Sequence, residues 1–152
     1  MRHGEARSEH EDPQRPLTEA GRAAVERVAH RFAALDPLLN SIYHSGILRA
    51  RQTAEILAAQ LRRAPLLQER EGLRPLDAVS PIADWLLAQA SDEGAVGLVG
   101  HLPFLERLAS RLVTGDESRH VLILAAAGLV KLVPDEDGDG FTIVWEIAPE
   151  LA

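Results

Sequence analysis

Ala95-Val96-Gly97-Leu98-Val99-Gly100-His101-Leu102-Pro103 is the stretch whose reading decides the fold. Ala95 to Val99 is a nearly all-apolar run, the pattern of a strand buried in a parallel sheet. Gly100 ends it, and Pro103 suits the first turn of a helix predicted over Pro103 to Leu112. Ser41 to His44 reads as another short strand, followed by a helix from Leu48 to Leu61 with Ala54, Leu57, Ala58 and Leu61 on its inner face. Upstream, Thr18 is a suitable N-cap for a helix from Glu19 to Leu35, where Val25, Val28, Ala29 and Phe32 form one apolar stripe. Asp36 and Pro37 end that helix. Residues 62–80 read as irregular, and Pro81 to Ala90 as a helix. Val121 to Leu124, Gly128 to Val133 and Phe141 to Ile147 read as strands. Strands alternating with helices predict an α/β three-layer sandwich: a mainly parallel central sheet flanked by helices, with a C-terminal β-hairpin.

The chain has 152 residues and no internal repeat or linker. It is expected to be one domain, burying roughly two-thirds of the surface its unfolded form exposes. The absence of cysteine excludes disulfides, thiolate metal sites and cysteine nucleophiles, and fits a cytoplasmic setting. The polar, charged start does not resemble a signal peptide, and no apolar run approaches the roughly 20 residues that span a bilayer. A net charge of −7 argues against a broad nucleic-acid surface. Arginine so far outnumbers the single lysine, Lys131, that codon bias is the simplest reading, and the ratio says nothing about function.

Individual arginines are more informative. In open α/β sheets, ligands bind beyond the carboxyl ends of the strands. Three segments place cationic or imidazole groups at such junctions: Arg2-His3-Gly4, His44-Ser45-Gly46 with Arg49 in the next helical turn, and Gly100-His101-Leu102 before a helix N-terminus. An imidazole can attack phosphorus, a guanidinium can grip two phosphate oxygens, and glycine lets backbone approach an anion closely.

These blocks resemble the histidine phosphatase superfamily, and within it the small SixA-type phosphohistidine phosphatases. The likeness runs over essentially the whole chain: Arg2-His3-Gly4-Glu5-Ala6, Arg15-Pro16-Leu17-Thr18 with Gly21, Ser45 through Thr53, and Gly100-His101-Leu102-Pro103. It implies that His3 is the phosphorylated nucleophile, that Arg2 and Arg49 clamp the phosphoryl oxygens, and that His101 completes the pocket. Gly4, Arg15, Ser45 and Leu102 are implied as further substrate-binding positions. The implied reaction needs no metal or other cofactor. The implied partner is a phosphorylated protein, such as a histidine phosphotransfer domain, or else a small phosphate ester. Phosphate or sulfate would fit the same pocket, and neither nucleic acid nor membrane is expected as a partner. An inactive phosphate-binding or partner-binding relative is a further alternative. Asp77 is the candidate general acid, although a turn or helix-cap role is the simpler reading; Glu5 reads as orienting its loop. Two departures stand out. The family has several apolar residues before Arg-His-Gly, forming a central strand, where this chain has only Met1, so a shortened strand is expected. Gly46 stands where that family usually has proline.

Other patterns are decoys. Asp135, Asp137, Asp139, Gly140 and Glu146 have calcium-loop spacing, but flanking strands predict a hairpin turn instead. His10, His30 and His120 lack partners at metal-ligand spacing and read as surface residues. His44 reads as structural at a strand end, and Trp85 and Trp145 as packing residues.

Overall fold

Strand β1 (Leu39–His44) lies at the centre of a parallel three-stranded sheet, between β2 (Leu66–Glu69) and β3 (Ala95–Val99). The computed structural model describes residues 1–35, 37–89 and 94–152. Asp36 and Ala90, expected at the ends of two helices, lie outside the described residues. Pairing of His44 with both Glu69 and Val99 aligns the carboxyl ends of the three strands, so the loops that follow open on one side of the sheet. A second, antiparallel pair, β4 (Leu129–Pro134) and β5 (Phe141–Ile147), forms the C-terminal hairpin. Its turn contains the acidic run, where the Thr142 hydroxyl donates to Asp135 at 2.6 Å.

Helices α1 (Glu19–Ala33) and α2 (Leu48–Gln60) cover one face, while α3 (Ser80–Gln89) and α4 (Phe104–Thr114) cover the other. The expected stripe of α1 is the buried one: Val25, Val28, Ala29 and Phe32 pack with Ile42, Ala54 and Leu57. Each such large apolar side chain contributes about 1.5–3 kcal/mol relative to exposure. Thr18 caps α1 by accepting from the Gly21 N–H at 2.9 Å. On the opposite face, Leu73, Ile82, Phe104, Leu108 and Leu124 form a second core. Trp145 packs on Phe32 and Trp85 on Tyr43.

Two segments differ from expectation. Leu66–Glu69, read as irregular, pairs with β1, because strand formation there is imposed by a neighbour rather than by local pattern. Val121 to Leu124, read as a strand, is not one. Side chains occupy its backbone groups: the Leu124 N–H is taken by Glu106 at 2.9 Å and its carbonyl by Arg2 at 2.9 Å.

The run that suggested a buried strand is only partly covered, with Val99 alone among the residues of β3 fully buried. The edge of β3 away from β1 faces a cavity of about 940 Å³, lined also by Leu129, Lys131 and Val133 of β4. The chain's first residues close one end of this slot. The Met1 amino group donates to the Leu98 carbonyl at 2.7 Å, and the Gly100 N–H donates to the Met1 carbonyl at 3.2 Å. Arg2 donates its N–H to Gly128 at 2.9 Å, and His3 donates to Gly100 at 3.1 Å. Arg2 and His3 are therefore hung between β3 and the start of β4.

Candidate active site

The three junctions named from sequence meet at the carboxyl end of the sheet. His3 is positioned by its own backbone. Its Nδ1 lies 2.7 Å from the Gly4 carbonyl, which only accepts, so Nδ1 carries the proton and Nε2 holds a lone pair. The Arg49 Nε–H donates to that Nε2 at 3.3 Å. The Gly4 N–H is itself held by the buried Thr53 hydroxyl at 3.1 Å, and that hydroxyl donates to the Arg49 carbonyl at 2.8 Å. One threonine on α2 thus ties the His3 loop to the turn that bears Arg49. The loop also abuts α1, since a Cβ on Gly21 would stand 2.1 Å from the Glu5 carbonyl oxygen. Glu5 accepts from the Thr18 hydroxyl at 2.7 Å, which orients the loop.

Arg49 enters from the first turn of α2, after Gly46 at φ +80°. Proline cannot adopt that angle, so the departure at position 46 goes with a different turn. His44 stays structural, its Nδ1 accepting the Gly46 N–H at 3.1 Å. His101 leaves β3 and lies beside His3, with ring centroids 4.9 Å apart. Its Nε2 is 2.6 Å from the Ser45 Oγ.

Charge and burial set the protonation of both rings. Burial, and then the Arg49, Arg2 and Arg15 guanidiniums, push His3 down to about 4 against the opposing bond to Gly4. Burial, followed by His3, Arg49 and Arg74, pushes His101 down to about 3. Both imidazoles are neutral near pH 7. Two buried nitrogens here, Arg2 Nε and His101 Nδ1, have no protein partner. Neutral imidazoles among arginines, with donors to spare, suit a tetrahedral oxyanion.

The remaining sequence-derived positions fall as follows. Arg15, at φ 49°, donates its Nε to the Arg7 carbonyl at 3.1 Å, and its charge reaches His3 and Arg49. Gly4 has its N–H committed to Thr53, and Leu102 packs against the α3–α4 core. Asp77 accepts the Arg74 N–H at 2.8 Å and lines a shallow pocket with Ser45, Glu69, Glu71 and Arg74. Sequence reading missed Thr53 as a link, although its spacing of four from Arg49 is the signal for a hydroxyl bonding back along a helix. It also missed Arg74, whose proximity to His101 depends on the loop after β2.

The pattern of the histidine phosphatase superfamily (branch 1) matches residues 1–80, and the chain belongs to that superfamily. An uncharacterized protein of Picosynechococcus is 38% identical over 123 residues, covering 80% of this chain and 73% of that protein. Among solved structures, the protein histidine phosphatase SixA complexed with tungstate superposes with a TM-score of 0.85 at 25% identity, covering 98% of this chain and 94% of that one. A structure from Nakamurella multipartitia, provisionally assigned as phosphohistidine phosphatase SixA, gives 0.78 at 24% identity, covering 98% and 93%. The fold is the SixA fold.

Proposed function

We propose that this protein is a cytoplasmic phosphatase that removes the phosphoryl group from phosphohistidine on a protein, through a phosphorylated His3. Superfamily membership supports phosphatase chemistry, and the likeness to the tungstate-bound SixA structure supports this branch of it. His3 Nε2 attacks phosphorus with its lone pair while Arg2 and Arg49 neutralise the phosphoryl oxygens. The P–N bond to the substrate imidazole breaks as the bond to Nε2 forms, and the departing nitrogen takes a proton from solvent. Water then attacks the phosphoryl group on His3, releasing inorganic phosphate and a neutral imidazole.

The observation that carries the choice of substrate is that the two acids weighed from sequence are engaged elsewhere: Glu5 accepts from the Thr18 hydroxyl and Asp77 from the Arg74 N–H. An alkoxide leaving group needs a positioned acid, whereas an imidazole leaves without one.

A phosphohistidine-bearing phosphotransfer domain and an alkyl phosphate, assayed side by side, test the reading. Turnover of the phosphohistidine protein should dominate, and Asp77→Asn should leave it near the wild-type rate. Rapid quenching with labelled substrate should trap phosphate on His3, and His3→Ala should abolish the label. Preferential ester hydrolysis that depends on Asp77 would overturn the substrate assignment; no trapped label on folded protein would overturn the mechanism.

A further inference from the structure

Ser45, expected among the substrate-binding positions, makes its closest side-chain contact with His101. It is 3% exposed, follows the last residue of β1, and reaches across to His101, itself 1% exposed, at the end of β3. The parallel pairing of His44 with Val99 brings the two positions together, so their contact at 2.6 Å is fixed by the sheet.

The direction of this hydrogen bond follows from what surrounds the serine. Among the described residues, the Ser45 Oγ has one other partner, the Ile47 N–H at 3.4 Å. That group only donates, so Oγ accepts there and its hydroxyl proton has a single available acceptor, His101 Nε2. The reverse arrangement, Nε2–H donating to Oγ, would leave a buried hydroxyl proton without a partner, an expensive state in a water-poor site. Nε2 therefore bears the lone pair. A neutral ring must then carry its proton on Nδ1, the buried nitrogen without a protein partner. The ring stands beside His3, with centroids 4.9 Å apart.

We propose that Ser45 is a positioning residue that holds His101 in the Nδ1–H tautomer and so presents that N–H as a donor to the transferring phosphoryl group. The opposite tautomer would turn a lone pair toward the phosphoryl oxygens, replacing an attraction by a repulsion at the point where charge collects. This assignment rests on the phosphoryl-transfer reading above, and it moves Ser45 from contact with substrate to control of the residue that makes the contact.

Two measurements on the full chain test it. With histidine labelled by ¹⁵N, the His101 ring signals, assigned against His101→Gln, should show Nδ1 protonated and Nε2 unprotonated. A protonated Nε2 in the wild-type protein would overturn the proposal without any appeal to a variant. In kinetics, Ser45→Ala should let both tautomers populate and lower kcat by at least about tenfold, against the roughly 10²–10³ that a single oriented donor contributes. KM should change much less, because charge from Arg2 and Arg49 still holds the phosphoryl group. Ser45→Thr, which keeps the hydroxyl, should recover most of kcat and the wild-type ring spectrum. An alanine variant with wild-type kcat and an unchanged His101 tautomer would refute the assignment. A wild-type chain that hydrolyses no phosphoryl compound would instead defeat the functional reading, while the ring spectrum would still report on Ser45.

Discussion

Replacing Thr53 by valine isolates one hydroxyl that joins the two halves of the site. Thr53 is fully buried, and valine preserves its shape while removing only the oxygen. The Gly4 N–H then loses its acceptor at 3.1 Å in a buried place. The Arg49 carbonyl loses a donor at 2.8 Å, but it lies within α2 and can keep its helical bond. The cost is therefore mainly that of one orphaned donor, about 1–3 kcal/mol. For a chain of this length, about 2 kcal/mol corresponds to a fall of roughly 4–8 °C in Tm. Activity should suffer more than stability suggests, because the Gly4 carbonyl holds the proton-bearing nitrogen of His3. A displacement of about 1 Å in a reacting group costs on the order of 10² in rate, so kcat/KM should fall between about tenfold and a hundredfold. Thr53→Ser is the control: it keeps the oxygen, loses one methyl worth about 0.8 kcal/mol, and should remain close to wild type in kcat/KM. Thermal unfolding and steady-state kinetics on the three proteins decide the matter. If the valine variant matches the serine variant in both, the hydroxyl is not the link.

Burial and neighbouring arginines hold His3 at about 4 and His101 at about 3, below the ordinary value of about 6.5 for an unfolded histidine. The unfolded chain then binds more protons between these values, so this contribution to stability is complete above about pH 6.5 and is lost as pH falls toward 4 and 3. Chemical unfolding across that range should show the decline, which His3→Gln should lessen. The acid limb of kcat/KM should lie near pH 4, and a limb near 6.5 would show that the nucleophile is not shielded in this way. A third prediction concerns the slot between β3 and β4. Adding five alternating apolar residues ahead of Met1, to match the five of β3, should fill the cavity and raise Tm by several degrees, whereas five polar residues should not. Equal effects of the two extensions would show that the slot does not accept a strand.

The junctions were legible because each is announced locally. An apolar run ending at Gly100, a strand candidate ending at His44, and Arg2-His3-Gly4 all place chemistry where backbone direction changes. The capped stripe of α1 was legible for the same reason, since Thr18 and the spacing of Val25, Val28 and Phe32 act over one or two turns. Contacts between distant segments were not. Ser45 is expected at the substrate, but its bond to His101 emerges only once β1 and β3 pair, because that partner lies 56 positions away. Leu66–Glu69 is too short, and too closely preceded by Pro65, to announce itself as a strand; pairing with β1 makes it one. Val121 to Leu124 gave the opposite error. An apolar, β-branched run satisfies the strand pattern, yet Glu106 and Arg2 supply its hydrogen bonds at Leu124 and hold it as a loop. That misreading bears on the site, because the Leu124 carbonyl is what anchors the Arg2 guanidinium.

The same arginines serve two opposed needs, and the hydrogen bond from His3 to Gly4 reconciles them. In the free site, Arg49, Arg2 and Arg15 repel a proton from His3 and so keep its lone pair available. In the proposed mechanism, a phosphoryl dianion bound to those arginines would offset their charge and so favour protonation of the nitrogen assigned to attack. The proton on Nδ1 already faces the Gly4 carbonyl, so any second proton would have to enter at Nε2, the nitrogen that Arg49 reaches at 3.3 Å and that attack on phosphorus uses. Placing phosphorus against Nε2 therefore blocks the only route to an inactive imidazolium. On that mechanism, accurate seating of the phosphoryl group and protection of the nucleophile become one geometric requirement, and the Thr53 link between the His3 loop and the helix that carries Arg49 would serve it.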